Sequence, residues 1–275
     1  MTLYGVDFTS RPSRRKPITV AVGCAAADDT VRLDAFETYA DFAGFEAFLR
    51  RPGPWLGAFD FPFGLPRALI EAMHWPARWP ALVQALARQS RASLRMQFKA
   101  FCAARPAGQK FAHRRVDLYA QCSPSMKWVN PPVAWMLLEG APRLLAAGVM
   151  LPGLHDGDPQ RVALEGYPAL LAREVVGRES YKSDEALRQT ADRQARRVRI
   201  VEALQQGRIA SRLRLHVPDP ALVARMVADG SGDLLDAVLC LMEAADAARS
   251  GAPRYGLPDD VDPLEGWIAT VRASD

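Results

Sequence analysis

The chain has 275 residues, 49% of them hydrophobic and 24% charged, with 19 Gly, 21 Pro and a net charge of +4. These proportions exclude wholesale disorder, collagen and simple coiled coil, and the length allows a sizeable core in one large or two small domains. No apolar run approaches the roughly 18 residues of a membrane span, and Met1–Asp7 lacks the basic start of a signal peptide, so a cytoplasmic location is expected.

In chain order, Leu3–Thr9, Ile18–Cys24 and Val31–Thr38 read as strands, separated by the turn signals Arg11-Pro12-Ser13 and Asp28-Asp29. Asp41 opens a helix through Phe42, Phe45 and Phe48-Leu49, which Pro52-Gly53-Pro54 stops. Trp55–Phe61 is a fourth strand, running into the turn Pro62-Phe63-Gly64-Leu65-Pro66. Helical patterning at 67–73, 80–104 and 133–147 suggests a helical insertion over about 67–158. Arg161–Glu165 resumes strand character, and helices are expected at 169–176, 184–206 and Asp233–Ala248. Strands and helices in this order describe a single α/β domain over 1–275.

Cys24, Cys102, Cys122 and Cys240 form no C-x-x-C pair and are expected to be buried, reduced thiols. His74, His113, His155 and His216 show no ligand spacing, and neither a G-x-S-x-G elbow nor a Walker loop is present.

Charge distribution says more than net charge. No acidic residue occurs between Glu71 and Asp117, a stretch that carries nine Arg and Lys residues interleaved with Trp75, Trp79, Phe98, Phe101 and Phe111. Such a surface suits a phosphate backbone and exposed bases, which makes Arg88, Arg91, Arg95, Arg114 and Arg115 candidate nucleic-acid contacts. The alternative is a solvated helical face over core aromatics. Only five of the 35 basic residues are Lys, and two of these, Lys127 and Lys182, join the candidate phosphate contacts.

Five carboxylates stand where an apolar element ends or turns inward. Asp7 lies in Tyr4-Gly5-Val6-Asp7-Phe8, Asp60 between Phe59 and Phe61, and Glu165 after Val162-Ala163-Leu164. Asp233 and Asp236 are spaced to share one face of the last helix. Ionised carboxylates are rarely set in apolar surroundings unless paired or bound to a cation, and an all-oxygen donor set suits Mg²⁺ or Mn²⁺ rather than Zn²⁺. Taken singly, Asp7 could cap a turn, Asp60 could open the Pro turn, Asp233 could be an N-cap and Glu165 a solvated strand end.

Four segments carry a family resemblance: Tyr4-Gly5-Val6-Asp7-Phe8, Phe59-Asp60-Phe61-Pro62-Phe63-Gly64-Leu65-Pro66, Glu165-Gly166-Tyr167-Pro168 and Asp233-Leu234-Leu235-Asp236-Ala237. Together they resemble an uncharacterised bacterial family of predicted nucleases with the ribonuclease H-like fold. The resemblance implies a mixed central sheet flanked by helices, with Asp7, Asp60 and Asp236 as metal ligands and Glu165 or Asp233 completing the set. It implies two Mg²⁺ ions and in-line phosphodiester hydrolysis, with Asp7, Asp60, Glu165 and Asp236 catalytic. Phe8-Thr9-Ser10 is not the glycine-rich turn of the ATP-binding kinases of that broad fold. A non-catalytic nucleic-acid-binding protein, or a small-molecule phosphotransferase or phosphohydrolase, are the other expectations.

Overall fold

The computed structural model describes residues 1–26 and 28–272. It opens with β1 (Thr2–Asp7), β2 (Ile18–Ala25) and β3 (Thr30–Tyr39), an antiparallel meander, followed by α1 (Phe42–Leu49) and β4 (Trp55–Phe59). Five helices then follow, α2 (Arg67–Ala72), α3 (Trp79–Ala87), α4 (Arg91–Ala103), α5 (Arg115–Tyr119) and α6 (Val133–Ala147). The chain returns through β5 (Val149–Met150) and β6 (Asp158–Glu165), then α7 (Ala169–Val176), α8 (Ala191–Gln205), β7 (Arg214–His216), α9 (Pro220–Ala228) and α10 (Asp233–Ser250). The seven strands form one mixed sheet in the order β5-β6-β4-β1-β2-β3-β7, flanked by helices. Among them β2 alone runs against the rest.

Side-chain alternation along the strands builds two cores. Tyr4, Val6, Trp55 and Phe59 face α1, α3, α4 and α6 and meet Phe45, Phe48, Leu82, Phe98 and Leu137 there. Leu3, Leu56, Val162 and Leu164 face the other way, under Leu171 of α7, Ile200 of α8 and Val238 and Leu241 of α10. The seat of α10 is set by one residue. A Cβ on Gly5 would lie 2.0 Å from the Ala237 carbonyl oxygen, so only glycine lets the helix backbone rest directly on β1.

Several boundaries differ from the sequence reading. The expected helix 80–104 is two helices, because Ser90 caps α4 by accepting from the Ser93 N–H at 3.1 Å. The expected helix 184–206 starts at Ala191, where Thr190 is the cap, after a short 3₁₀ turn at Ala186–Arg188. The fourth strand stops at Phe59, two residues early, so Asp60 stands just beyond it. The short β5, β7, α5 and α9 carry too little periodic pattern to be read from sequence. All four cysteines are free, with Cys102 and Cys240 buried and Cys24 and Cys122 only half-buried. Among the described residues no helix is long and apolar enough to cross a membrane.

Candidate metal centre

Asp7 is the last residue of β1 and Asp60 the first after β4, and the parallel pairing sets Val6 opposite Phe59. The Asp60 N–H donates to the Val6 carbonyl at 2.8 Å, which extends the ladder by one step. The alternation that sends Leu3 and Leu56 toward α10 therefore sends Asp7 and Asp60 to that same face. From above, the first turn of α10 lowers Asp236 between them. One carboxylate oxygen from each of Asp7, Asp60 and Asp236 lies within 4.8 Å of the other two. Asp236 is fully buried and Asp7 is 8% exposed.

This concentration of negative charge is poorly compensated. Burial, reinforced by Asp236 and Asp233, holds the Asp7 carboxyl well above the usual carboxylate range. Burial likewise pushes Asp60 to about 7, with Lys182 pulling it down and Asp236 pushing it up. Asp236 has neutralising partners: the Tyr181 hydroxyl donates to Oδ1, and the Lys182 ammonium pairs with Oδ2. Burial disfavours the Lys182 charge, but Asp236, Tyr181, Asp7 and Asp60 together hold it protonated well above its ordinary range.

The Tyr181–Lys182 segment is itself anchored. Arg197 of α8, 3% exposed, donates to the Tyr181 carbonyl at 2.8 Å and to the Val227 carbonyl at 2.9 Å. A second lysine, Lys16 in the β1–β2 loop, pairs with Asp233 at 2.7 Å and Asp184 at 2.6 Å.

Two of the expected ligands are not among these three. Glu165 pairs in register with Phe59, so it points to the opposite face of the sheet from Asp7 and Asp60. There the Arg114 guanidinium grips it in a bidentate pair at 2.6 and 2.8 Å, and the Phe63 N–H donates to it at 2.9 Å. Asp233 starts α10 but is held by Lys16; the N-cap position is Gly232, and Asp229 before it accepts from the Leu234 N–H at 2.9 Å.

Among the expected nucleic-acid contacts, Arg114 is 2% exposed and bound by Asp117 and Glu165, so it cannot meet a polymer. Arg115 is exposed but paired with Asp260 at 2.6 Å. Arg91 pairs with Glu139 at 2.7 Å, Arg88 and Arg95 are exposed, Lys127 is half-buried, and Lys182 belongs to the carboxylate cluster.

Sequence reasoning missed Lys16, Tyr181, Arg197 and Glu243 as members of the site. Glu243 follows Asp236 by two helical turns on α10 and is fully buried. It accepts from the Tyr167 N–H at 2.9 Å and the Thr270 hydroxyl at 3.2 Å, and burial pushes it up to about 8. The signal was present in the sequence, as Asp236, Cys240 and Glu243 share one helix stripe.

No curated protein and no solved structure matches the chain. The model of the family described as "Protein of unknown function (DUF429)" matches residues 5–262, and the chain belongs to that family.

Proposed function

We propose that the protein is a divalent-cation-dependent nuclease that hydrolyses phosphodiester bonds of DNA or RNA. The observation that supports this reading is the convergence of Asp7, Asp60 and Asp236 within 4.8 Å at the ends of adjacent parallel strands. Three carboxylates with no thiolate or imidazole among them fit a hard cation such as Mg²⁺ or Mn²⁺. Raised proton affinity at Asp7 and Asp60 marks ionised forms that lack a counter-charge, and a cation supplies one. An acid on the first strand, one after the fourth and one on a late helix, on a mixed sheet, is also the placement a ribonuclease H-like nuclease implies.

In this reading Asp7, Asp60 and Asp236 hold the cation. When bound, the cation polarises the scissile phosphodiester and makes an attacking water more acidic. Lys182 neutralises Asp236 in the metal-free chain, and on release its ammonium is placed to meet a phosphate oxygen. Tyr181, fixed by Arg197, keeps Asp236 in one orientation throughout.

The size of the cavity beside Asp60 argues against a small-molecule site there. The cavity beside Asp60, walled by Phe61, Cys122, Pro131, Met136 and Tyr167, holds about 100 Å³, below the roughly 300 Å³ at which small-molecule sites begin. Alternate residues of 130–133 line a second, open groove of about 900 Å³.

The test uses end-labelled oligonucleotides with Mg²⁺. Cleavage by the native protein, stopped by EDTA and absent from Asp7→Asn at unchanged or higher thermal stability, is the expected outcome. Equal cleavage by Asp7→Asn, or cleavage that persists in EDTA, contradicts the reading.

A further inference from the structure

The open groove lies between the β1–β2 loop and α4. Directly after Asp7 and Phe8, the loop brings Ser10 and Arg11 to the groove, and Arg91 of α4 ties it in place by donating to the Ser10 carbonyl at 3.1 Å. Its first lining residue, Ser10, thus follows Asp7 of the candidate centre by three positions in the chain.

Two properties meet in this groove. The first is unspent positive charge. Elsewhere some exposed arginines have carboxylate partners, as in Arg115–Asp260 and Arg188–Glu185, while others, such as Arg78, Arg208 and Arg225, have none among the described residues. Among the described residues, Arg11 and Arg95 on the groove, and Arg14 and Arg15 farther along the same loop, are exposed and make no ion pair. Glu139, the partner of Arg91, is also held by Arg143. The second property is an apolar floor. Trp128 and Trp135 lie beneath it, buried at 5% and 8% exposure, and Met96 and Val129, 67% and 46% exposed, leave apolar side chains open to solvent.

A duplex presents phosphates outward and keeps its bases stacked, so it would call for cations alone. Unpaired bases need an apolar platform beside the cations. We propose that this groove is the path of a single nucleic-acid strand toward the carboxylate centre. Its phosphates lie on Arg11 and Arg95 and its bases on the exposed apolar surface of Met96 and Val129. Only the chemistry at the end of the path rests on the nuclease reading above; the path itself rests on charge and shape.

The probe is a fluorescently labelled single strand of about 15 nucleotides, long enough to fill such a site, with its anisotropy followed in EDTA across a salt series. The doubly substituted Arg11→Ala/Arg95→Ala chain is expected to bind at least about 10-fold more weakly, with the slope of log K against log salt reduced by about 1.4, or about 0.7 for each phosphate deprived of its arginine. Arg78→Ala and Lys110→Ala, charges of the same basic stretch that do not line the groove, are expected to stay within about 2-fold of native. Because Arg11 and Arg95 are exposed, thermal melting of the double variant should match native and so separates lost binding from lost fold. Unchanged affinity in the double variant overturns the proposal, as does equal or tighter binding of a duplex of the same length. Groove-dependent binding without Mg²⁺-dependent cleavage keeps the strand path and removes the nuclease reading. Cleavage with groove-independent binding does the reverse.

Discussion

Two sets of buried carboxylates lie at the ends of neighbouring strands and have opposite characters. On the α10 face, Asp7, Asp60 and Asp236 gather with cations only at one edge, and two of the three resist ionisation. On the other face, Glu165 and Asp117 share Arg114, whose guanidinium also donates to the Glu265 carbonyl at 2.9 Å. Burial raises Glu165 as well, but the Arg114 charge, its hydrogen bonds and the Phe63 N–H all pull against that rise. Both sets are carboxylates, all buried except the half-buried Asp60. What differs is whether the fold supplies the counter-charge. Where it does, the carboxylates join α5 and the 60s turn to β6; where it does not, the site is left for a cation to complete.

The largest expected effect of breaking this contrast is on the compensated side. Arg114→Ala leaves Glu165 and Asp117 buried without a partner and should cost about 3–5 kcal/mol of stability. Chemical denaturation measures it directly, and a loss below about 1 kcal/mol would mean that the pair is not buried as described.

A smaller effect of opposite sign is expected on the uncompensated side. Asp60 in the fold binds its proton up to about pH 7, far above the ordinary carboxylate range of an unfolded chain. The native metal-free state thus carries more protons than the unfolded state between about pH 4 and pH 7, and stability falls as pH rises through that window. Asp60→Asn removes this loss. In EDTA at pH 8 it should melt about 2–4 °C above the native chain, with little difference at pH 4. Mg²⁺ should raise the native melting temperature more at pH 8 than at pH 5 and leave the variant nearly unchanged. A native melting curve independent of pH across this window would remove the claim that Asp60 is uncompensated.

Much of this contrast was legible in sequence, and the part that was not has a physical cause. Asp7, Asp60 and Asp236 stand out because each interrupts an apolar run, and such an interruption is costly unless something binds it. Glu165 interrupts a run in the same manner. Its face is set by strand register, and in a strand buried on both sides the run Val162-Ala163-Leu164 carries no alternation to reveal it. Arg114 and Arg115 are adjacent in sequence, yet one is sealed in an ion pair and the other lies over the Trp267 ring. Lys16 and Arg197 act across large sequence separations, to Asp233 and Tyr181, and no local pattern encodes such pairings. The two helices within 80–104 merge in the sequence pattern because Ser90 passes for one more helical residue, whereas in the fold it is the cap that separates them.

The central claim is that the α10-face cluster, and not the Glu165 cluster, takes a divalent cation. An anomalous-scattering map from a crystal soaked in Mn²⁺ tests it most directly. The account predicts a peak coordinated by Asp7, Asp60 and Asp236, with the Lys182 ammonium displaced from Asp236. A map empty at those three residues, with Lys182 still seated on Asp236, or a peak at Glu165 instead, would contradict it.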